Sequence, residues 1–276
     1  MGTERLYFIL ERSAFSVKRW ALPPLSAMLV LVETEKRIRA AGRAVLDVVF
    51  PRWCVGCGGV VEAATCQHIC ENCLGEVVFS RLPHCSTCGW PFPGEVSGPR
   101  RCPNCVDLDP EFDEGRTGML LRGPARAFVH ELKYHAGWHL RGDLQILARQ
   151  MTPLREFVSS AVLVPVPLHP RRMRWRGFNQ ARWIADALVA VGGAAGVEEL
   201  LVRVRDTPQQ TRLDRAAREK NMKGAFALHT GAILKSDVFY IVVDDVFTTG
   251  ATLNACAKVL RQAGASALGV ASLGHG

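Results

Sequence analysis

The segment Tyr240-Ile-Val-Val-Asp-Asp-Val-Phe-Thr-Thr-Gly-Ala-Thr252 restricts the fold more than any other part of this chain. Tyr240 to Val243 has the unbroken apolar, β-branched character of a strand covered on both faces, the signature of a parallel sheet between helices. Asp244 and Asp245 are expected at its carboxyl end, where open α/β sheets place their ligands. Thr248, Thr249, Gly250, Ala251 and Thr252 are small enough for backbone N–H groups to close around a phosphate. Leu253 to Ala263 reads as a helix whose N-terminal dipole favours an anion. Paired carboxylates suit ribose hydroxyls, directly or through Mg²⁺. The bland alternative is a buried strand and a helix capped by Thr252 with no ligand. Two adjacent acids followed by Thr-Thr-Gly-Ala-Thr are hard to explain as packing, so a phosphate site is the stronger reading.

Nine of the ten cysteines fall between Cys54 and Cys105, and eight of these form C-x-x-C pairs: Cys54/Cys57, Cys70/Cys73, Cys85/Cys88 and Cys102/Cys105. Each pair can aim two thiolates at one tetrahedral metal, and two pairs complete a Cys₄ zinc site. Twelve residues separate the first two pairs and thirteen the last two, within zinc-ribbon range. Two structural zinc ions are expected. A disulfide or redox module would not use four such pairs in so short a stretch. Sequential pairing is the simplest, and interleaved pairing remains open. Cys66, with His68 nearby, lacks a partner of this kind and reads as a plain thiol; Cys256 reads as core.

The 276 residues suffice for one α/β core and a smaller module. A formal charge of +8 favours anionic partners. Ala21 to Val32 is the best candidate for a membrane span, but it is too short and contains Pro23 and Pro24. The first residues lack the layout of a signal peptide, so the default expectation is a cytoplasmic protein. A peripheral membrane contact stays compatible with the charge.

Thr34 to Val49 has helical periodicity, with Ile38, Ala41, Val45 and Val48 on one face. Pro91 to Pro99 reads as a loop within the second ribbon. Thr117 to Leu121 is expected as a strand, Ala125 to Tyr134 as a helix or hairpin arm, and Asp143 to Met151 as a helix. Ala161 to Leu168 is a buried strand broken by prolines. Arg171, Arg172, Arg174 and Arg176 follow with no acid nearby, on a loop at that strand's end. Guanidinium groups bind phosphates bidentately, so this loop is a candidate anion grip, against the alternative of a solvated charged face. Ala181 to Val191 is a helix stopped by Gly192 and Gly193. Val197 to Val204 is expected as one strand, Arg205 to Lys223 as a polar lid, and Ala265 to Leu273 as the last strand.

The Asp-Asp-Val-Phe-Thr-Thr-Gly-Ala-Thr segment closely resembles the phosphoribosyl-pyrophosphate (PRPP) loop of type I phosphoribosyltransferases. It is joined in order by Leu46-Asp-Val-Val-Phe-Pro-Arg-Trp-Cys54, the four cysteine pairs, Leu132-Lys-Tyr134, Pro165-Val-Pro-Leu168, Arg176-Gly-Phe-Asn-Gln180, Gln210, Arg218 with Asn221, and Ala225-Phe226. Together these resemble the ComF family of competence-associated proteins across residues 44–276. That resemblance implies a type I phosphoribosyltransferase-like, mainly parallel sheet with a small N-terminal double zinc ribbon. The implied division is an extension over 1–43, the double ribbon over 44–110 and the transferase-like domain over 111–276. Asp244 and Asp245 would contact ribose hydroxyls, and Thr248 to Thr252 would hold the 5-phosphate of PRPP. Lys133 and Tyr134 would face the same cleft. Lys133, Arg171, Arg172 and Arg176 would neutralise a pyrophosphate accompanied by Mg²⁺. The family also implies a role in natural transformation, handling incoming single-stranded DNA with uptake proteins. Trp90, Phe92 and Trp175, near Arg100, Arg101, Arg172, Arg174 and Arg176, are candidates for stacking its bases. The alternative is an active phosphoribosyltransferase serving an unidentified base or amine. A plain salvage enzyme would leave the double ribbon unexplained.

Overall fold

The computed structural model describes residues 34, 50–62, 64–134, 137–207 and 221–276. The chain divides into two compact units, Met1–Pro51 and Arg52–Gly276, and the second carries both sheets and both cysteine clusters. The helix expected over Thr34 to Val49 lies outside the described residues apart from Thr34, and so does most of the expected lid, residues 208–220.

The core is a five-stranded sheet of β1 (Glu114–Leu120), β2 (Val162–Pro165), β3 (Gly196–Val197), β6 (Phe239–Phe247) and β7 (Ala267–His275). The order is β1-β7-β6-β2-β3 and every pairing is parallel. The apolar run of β6 explains its central place: Tyr240, Ile241, Val242 and Val243 are each no more than 2% exposed. Helices α3 (Gly123–Tyr134), α4 (Arg141–Gln150), α5 (Thr152–Phe157) and α7 (Gln180–Gly192) supply one cluster of the core. On α8 (Ala251–Gln262), Leu253, Cys256, Ala257 and Leu260 recur at helical spacing and pack into the other cluster. Cys256 is a core residue, fully buried.

Two segments differ in kind from the sequence reading. Val197 to Val204 is not one strand: after β3 the chain leaves the sheet, and β4 (Leu201–Arg203) pairs antiparallel with β5 (Phe226–Leu228). Residues 170–176 form helix α6 (Pro170–Arg176), not a loop. Pro170 stands in its first turn, where a missing N–H costs nothing, and His169 Nδ1 accepts the Arg171 N–H at 3.3 Å.

The cysteine-rich segment folds as two similar ribbons with short helices α1 (Glu71–Gly75) and α2 (Pro103–Val106). The second covers the exposed edge of β1. Leu120 N–H donates to Val78 O at 2.8 Å, and Ser80 N–H to Gly118 O at 2.9 Å. Contact there is backbone to backbone: a Cβ on Gly89 would stand 2.5 Å from Thr117 N, and Gly89 also has φ +77°.

Candidate functional site

The connections around β2 and β6 diverge. β2 leads through α6 and α7 to β3 on one side, and β6 leads through α8 to β7 on the other. The crevice between two such strands, at their carboxyl ends, is the topological switch point where α/β sheets bind ligands. A cleft of about 360 Å³ opens there.

Its floor is the acid pair. Asp244 and Asp245 lie in the carboxyl-terminal part of β6, where they were expected, but they do not end the strand: Asp244 still pairs with Ser272 of β7, and the ladder runs on to Phe247. β2 ends opposite Val243, so the acids are bare on the β2 side only. Side chains alternate along a strand, which sends the two carboxylates to opposite faces of the sheet. Asp245 is 5% exposed and meets Lys133 at the end of α3, Nζ to Oδ1 2.9 Å. Burial works against the Lys133 charge, but attraction to Asp245 and Asp244 outweighs it and holds the pKa above the usual lysine value. Asp244, half-buried, accepts the Asp245 N–H at 2.8 Å. Burial first, and the neighbouring Asp245 charge second, push its carboxyl up to about 7.

The anion end is the turn into α8. Thr248 and Thr252 line the cleft, and Gly250 caps the helix in the left-handed region at φ +77°. The helix is capped by Gly250, so the Thr252 cap of the bland reading is not what is found. Thr249 Oγ1 accepts the Ala251 N–H at 3.4 Å. A Cβ on Gly250 would meet the Phe247 ring at 2.7 Å and Leu108 at 3.3 Å, so this position tolerates glycine alone. The turn rests on the second ribbon: Trp90 packs edge-on to His275 at 4.6 Å, and His275 stacks on Phe247 at 5.1 Å.

The walls are basic. Lys133, Arg172, Arg176 and Arg203 line the cleft against two carboxylates, so its charge is net positive. Arg171 lies outside: its side chain is 79% exposed and its guanidinium is 3.3 Å from Asp206, the acid that the local sequence did not suggest. Arg176 sits over the Tyr134 ring at 5.8 Å and bonds Gln180; burial lowers its pKa. Asn179 caps α7 by accepting the Ala181 N–H at 3.1 Å and donates to Val166 O at 3.0 Å. Gly177 is left-handed and Phe178 stacks on Trp183 at 3.9 Å. The Arg-Gly-Phe-Asn-Gln motif is thus a corner that sets α7 on the end of β2 and presents its first and last residues to the cleft.

Trp175 lines the cleft and is 69% exposed, whereas Trp90 is engaged with His275 and Phe92 with Arg100, 5.7 Å from its ring centre. Sequence reasoning missed Arg203, a lone arginine in a three-residue strand, and Asp143. Asp143 is fully buried on α4 and accepts the N–H groups of Gln67 and His68, each at 2.7 Å. It ties the first ribbon to the α/β core.

Among the described residues two groups of cysteines have metal-site geometry, Cys54/Cys57/Cys70/Cys73 and Cys85/Cys88/Cys102/Cys105, each with its sulfurs within 4.8 Å. The pairing is sequential. A zinc tetrahedron with bonds of about 2.3 Å has edges of about 3.8 Å, and the Cys57–Cys70 and Cys88–Cys102 sulfurs stand 3.8 and 3.6 Å apart. The ribbons repeat one device: Cys70 N–H points at Cys54 Sγ at 3.3 Å, and Cys102 N–H at Cys85 Sγ at 3.2 Å. Such donors stabilise thiolate. The residues fit structural zinc at both sites. Cys66 stays outside the clusters, and burial pushes its thiol up to about 12.

Residues 45–106 match the model of the double zinc ribbon domain. The chain is 30% identical over 206 residues to the DNA utilization protein YhgH of Salmonella typhi, covering 73% of this chain and 88% of that protein. The chain belongs to the ComF family. It is 28% identical over 222 residues to competence protein F of Haemophilus influenzae, covering 76% and 91% of the two chains. A third relative, competence protein ComFC of Streptococcus pneumoniae, shares 28% identity over 201 residues, 66% of this chain and 82% of that one. Among the described residues of this ComF protein, no helix is long and apolar enough to cross a membrane.

Proposed function

We propose that the cleft binds PRPP or a related phosphoribosyl ligand. The observation that carries this is the switch-point cleft itself, with an acid pair at its floor, a glycine-capped helix N-terminus at one end and cationic walls. Asp244 and Asp245 hold the ribose hydroxyls, and residues 248–252 hold the 5-phosphate with backbone and threonine donors. Lys133, Arg172 and Arg176 neutralise the pyrophosphate, with Arg171 outside the cleft. The donor set suits Mg²⁺ carried in on the pyrophosphate, since one carboxylate is already paired with Lys133 and the other is reluctant to ionise.

The relatives are named for competence and DNA utilization, which supports a role for this chain in DNA uptake. In this reading it handles incoming single-stranded DNA on the cytoplasmic side. A second reading, transfer of the phosphoribosyl group to a base or amine, is favoured by the exposed Trp175 on the cleft wall, which offers an aromatic face to an acceptor.

The test is calorimetry with Mg–PRPP on zinc-loaded protein, beside the double variant Asp244→Asn/Asp245→Asn. Binding by the wild type that the double variant loses is the expected result. Equal affinity in both would reject the site.

A further inference from the structure

Arg203 enters the cleft from β4, outside the main sheet, and is 8% exposed. A guanidinium that far out of water normally has a carboxylate. Arg203 has none within ion-pair distance among the described residues. Its hydrogen bond goes to Thr207 Oγ1, it lies over the Phe226 ring at 5.3 Å, and its Nε is buried with no partner. A second guanidinium converges on the same residue: Arg172 donates to the Thr207 carbonyl. Two like charges are thereby held side by side. Asp206 stands 4.0 Å from Arg172 Nε and reaches Arg203 only through space, as the weakest of the charges acting on it. Burial and then the Arg172 charge depress the Arg203 pKa. Asp244 acts on it only through space, since its carboxylate makes no ion pair with Arg203. The two guanidinium groups repel each other, and a polyanion between them relieves that repulsion, because their bidentate donors match phosphate oxygens.

We infer that Arg203 and Arg172 form a second anion station, separate from the α8 N-terminus, that takes the diphosphate group of the ligand. This rests on the phosphoribosyl reading of the cleft and adds to it the residue that sequence reasoning missed. The cleft then has two anion stations served by different elements: the turn into α8 for the monophosphate, and the β4 and α6 arginines for the diphosphate. Each half can be probed with half of the ligand.

The experiment is calorimetry on the zinc-loaded full chain with Mg–pyrophosphate and, separately, ribose 5-phosphate. The proteins are the wild type, Arg203→Met and Arg203→Lys. The wild type should bind both probes. Arg203→Met should weaken pyrophosphate by about tenfold or more, the size of one lost charge-assisted hydrogen bond. It should leave ribose 5-phosphate within about twofold, as for independent sites. Arg203→Lys should recover part of the loss, because a point charge replaces the fork. Retained ribose 5-phosphate binding also shows that the variant is folded. Unchanged pyrophosphate affinity in Arg203→Met, or equal loss of both probes in both variants, would overturn the assignment. Wild-type protein that binds ribose 5-phosphate but not pyrophosphate would refute this inference alone. Binding of neither probe would refute the phosphoribosyl reading as well.

Discussion

Replacing Gly250 with alanine should separate two costs that the turn into α8 imposes. The first is conformational: an L-residue held at φ +77° loses about 1–2 kcal/mol relative to glycine. The second is steric. The new Cβ would lie 2.7 Å from the Phe247 ring and 3.3 Å from Leu108. Phe247 is itself held by His275 and Trp90, so the ring has little room to yield. Overpacking of this kind costs about 1–3 kcal/mol. Gly231 supplies the control, because its φ is +82° but a Cβ there meets nothing within 4 Å. Gly231→Ala should therefore lose only the first amount, and Gly250→Ala about 2–5 kcal/mol. Equilibrium urea unfolding with saturating zinc measures both. Gly250→Ala should also weaken Mg–PRPP binding by displacing the turn, while Gly231→Ala should not. If the two variants are equally stable, the close contact beneath the turn does not constrain it.

Three further outcomes follow from the same geometry. Asp143→Ala removes a buried carboxylate accepting two N–H groups, each charged bond worth about 1.5–3 kcal/mol; it should destabilise the chain by several kcal/mol in urea unfolding and speed zinc release from the first cluster, and a loss below about 1 kcal/mol would contradict that role. The Asp244 carboxyl is raised from 3.8 to about 7, so the native state holds a proton that the unfolded chain releases near pH 4; its contribution to stability is full below that pH and is lost as pH rises through 7. Asp244→Asn should flatten that slope, and Mg–PRPP affinity of the wild type should rise through the same range. Zinc should leave in two phases under a chelator, first from the cluster with exposed Cys57 and then from the fully buried second cluster, with PRPP affinity falling in the second phase because that ribbon supports the turn; a single phase would count against it.

Much of the fold was readable locally. Tyr240 to Val243 announced the central strand through its unbroken apolar run, and the spacing of the cysteine pairs announced two metal sites. Helices α4, α7 and α8 were readable from apolar periodicity to within about two residues, as boundary signals allow. The sequence also carried the start of α6, in Pro170 after the capping residue His169. What stayed hidden depends on residues far apart in the chain. Asp143 looks like one more acid on a helix until His68 and Gln67 are seen to donate to it. Arg203 has no local mark, since only the folding of β4 toward α6 brings it beside Arg172. The position of Asp244 and Asp245 within β6 followed from β7, which prolongs the ladder after β2 has ended, and no pattern near the acids signals that.

The central claim is that one cleft holds a phosphoribosyl ligand by its monophosphate, its ribose and its diphosphate together. Phosphorus NMR of Mg–PRPP titrated with the zinc-loaded protein tests this most directly, because the 5-phosphate and the two diphosphate phosphorus atoms give separate signals. All three should shift or broaden with wild-type protein and return to their free positions with Asp244→Asn/Asp245→Asn. Signals that stay at their free positions with wild-type protein, or move identically with the double variant, would contradict the account.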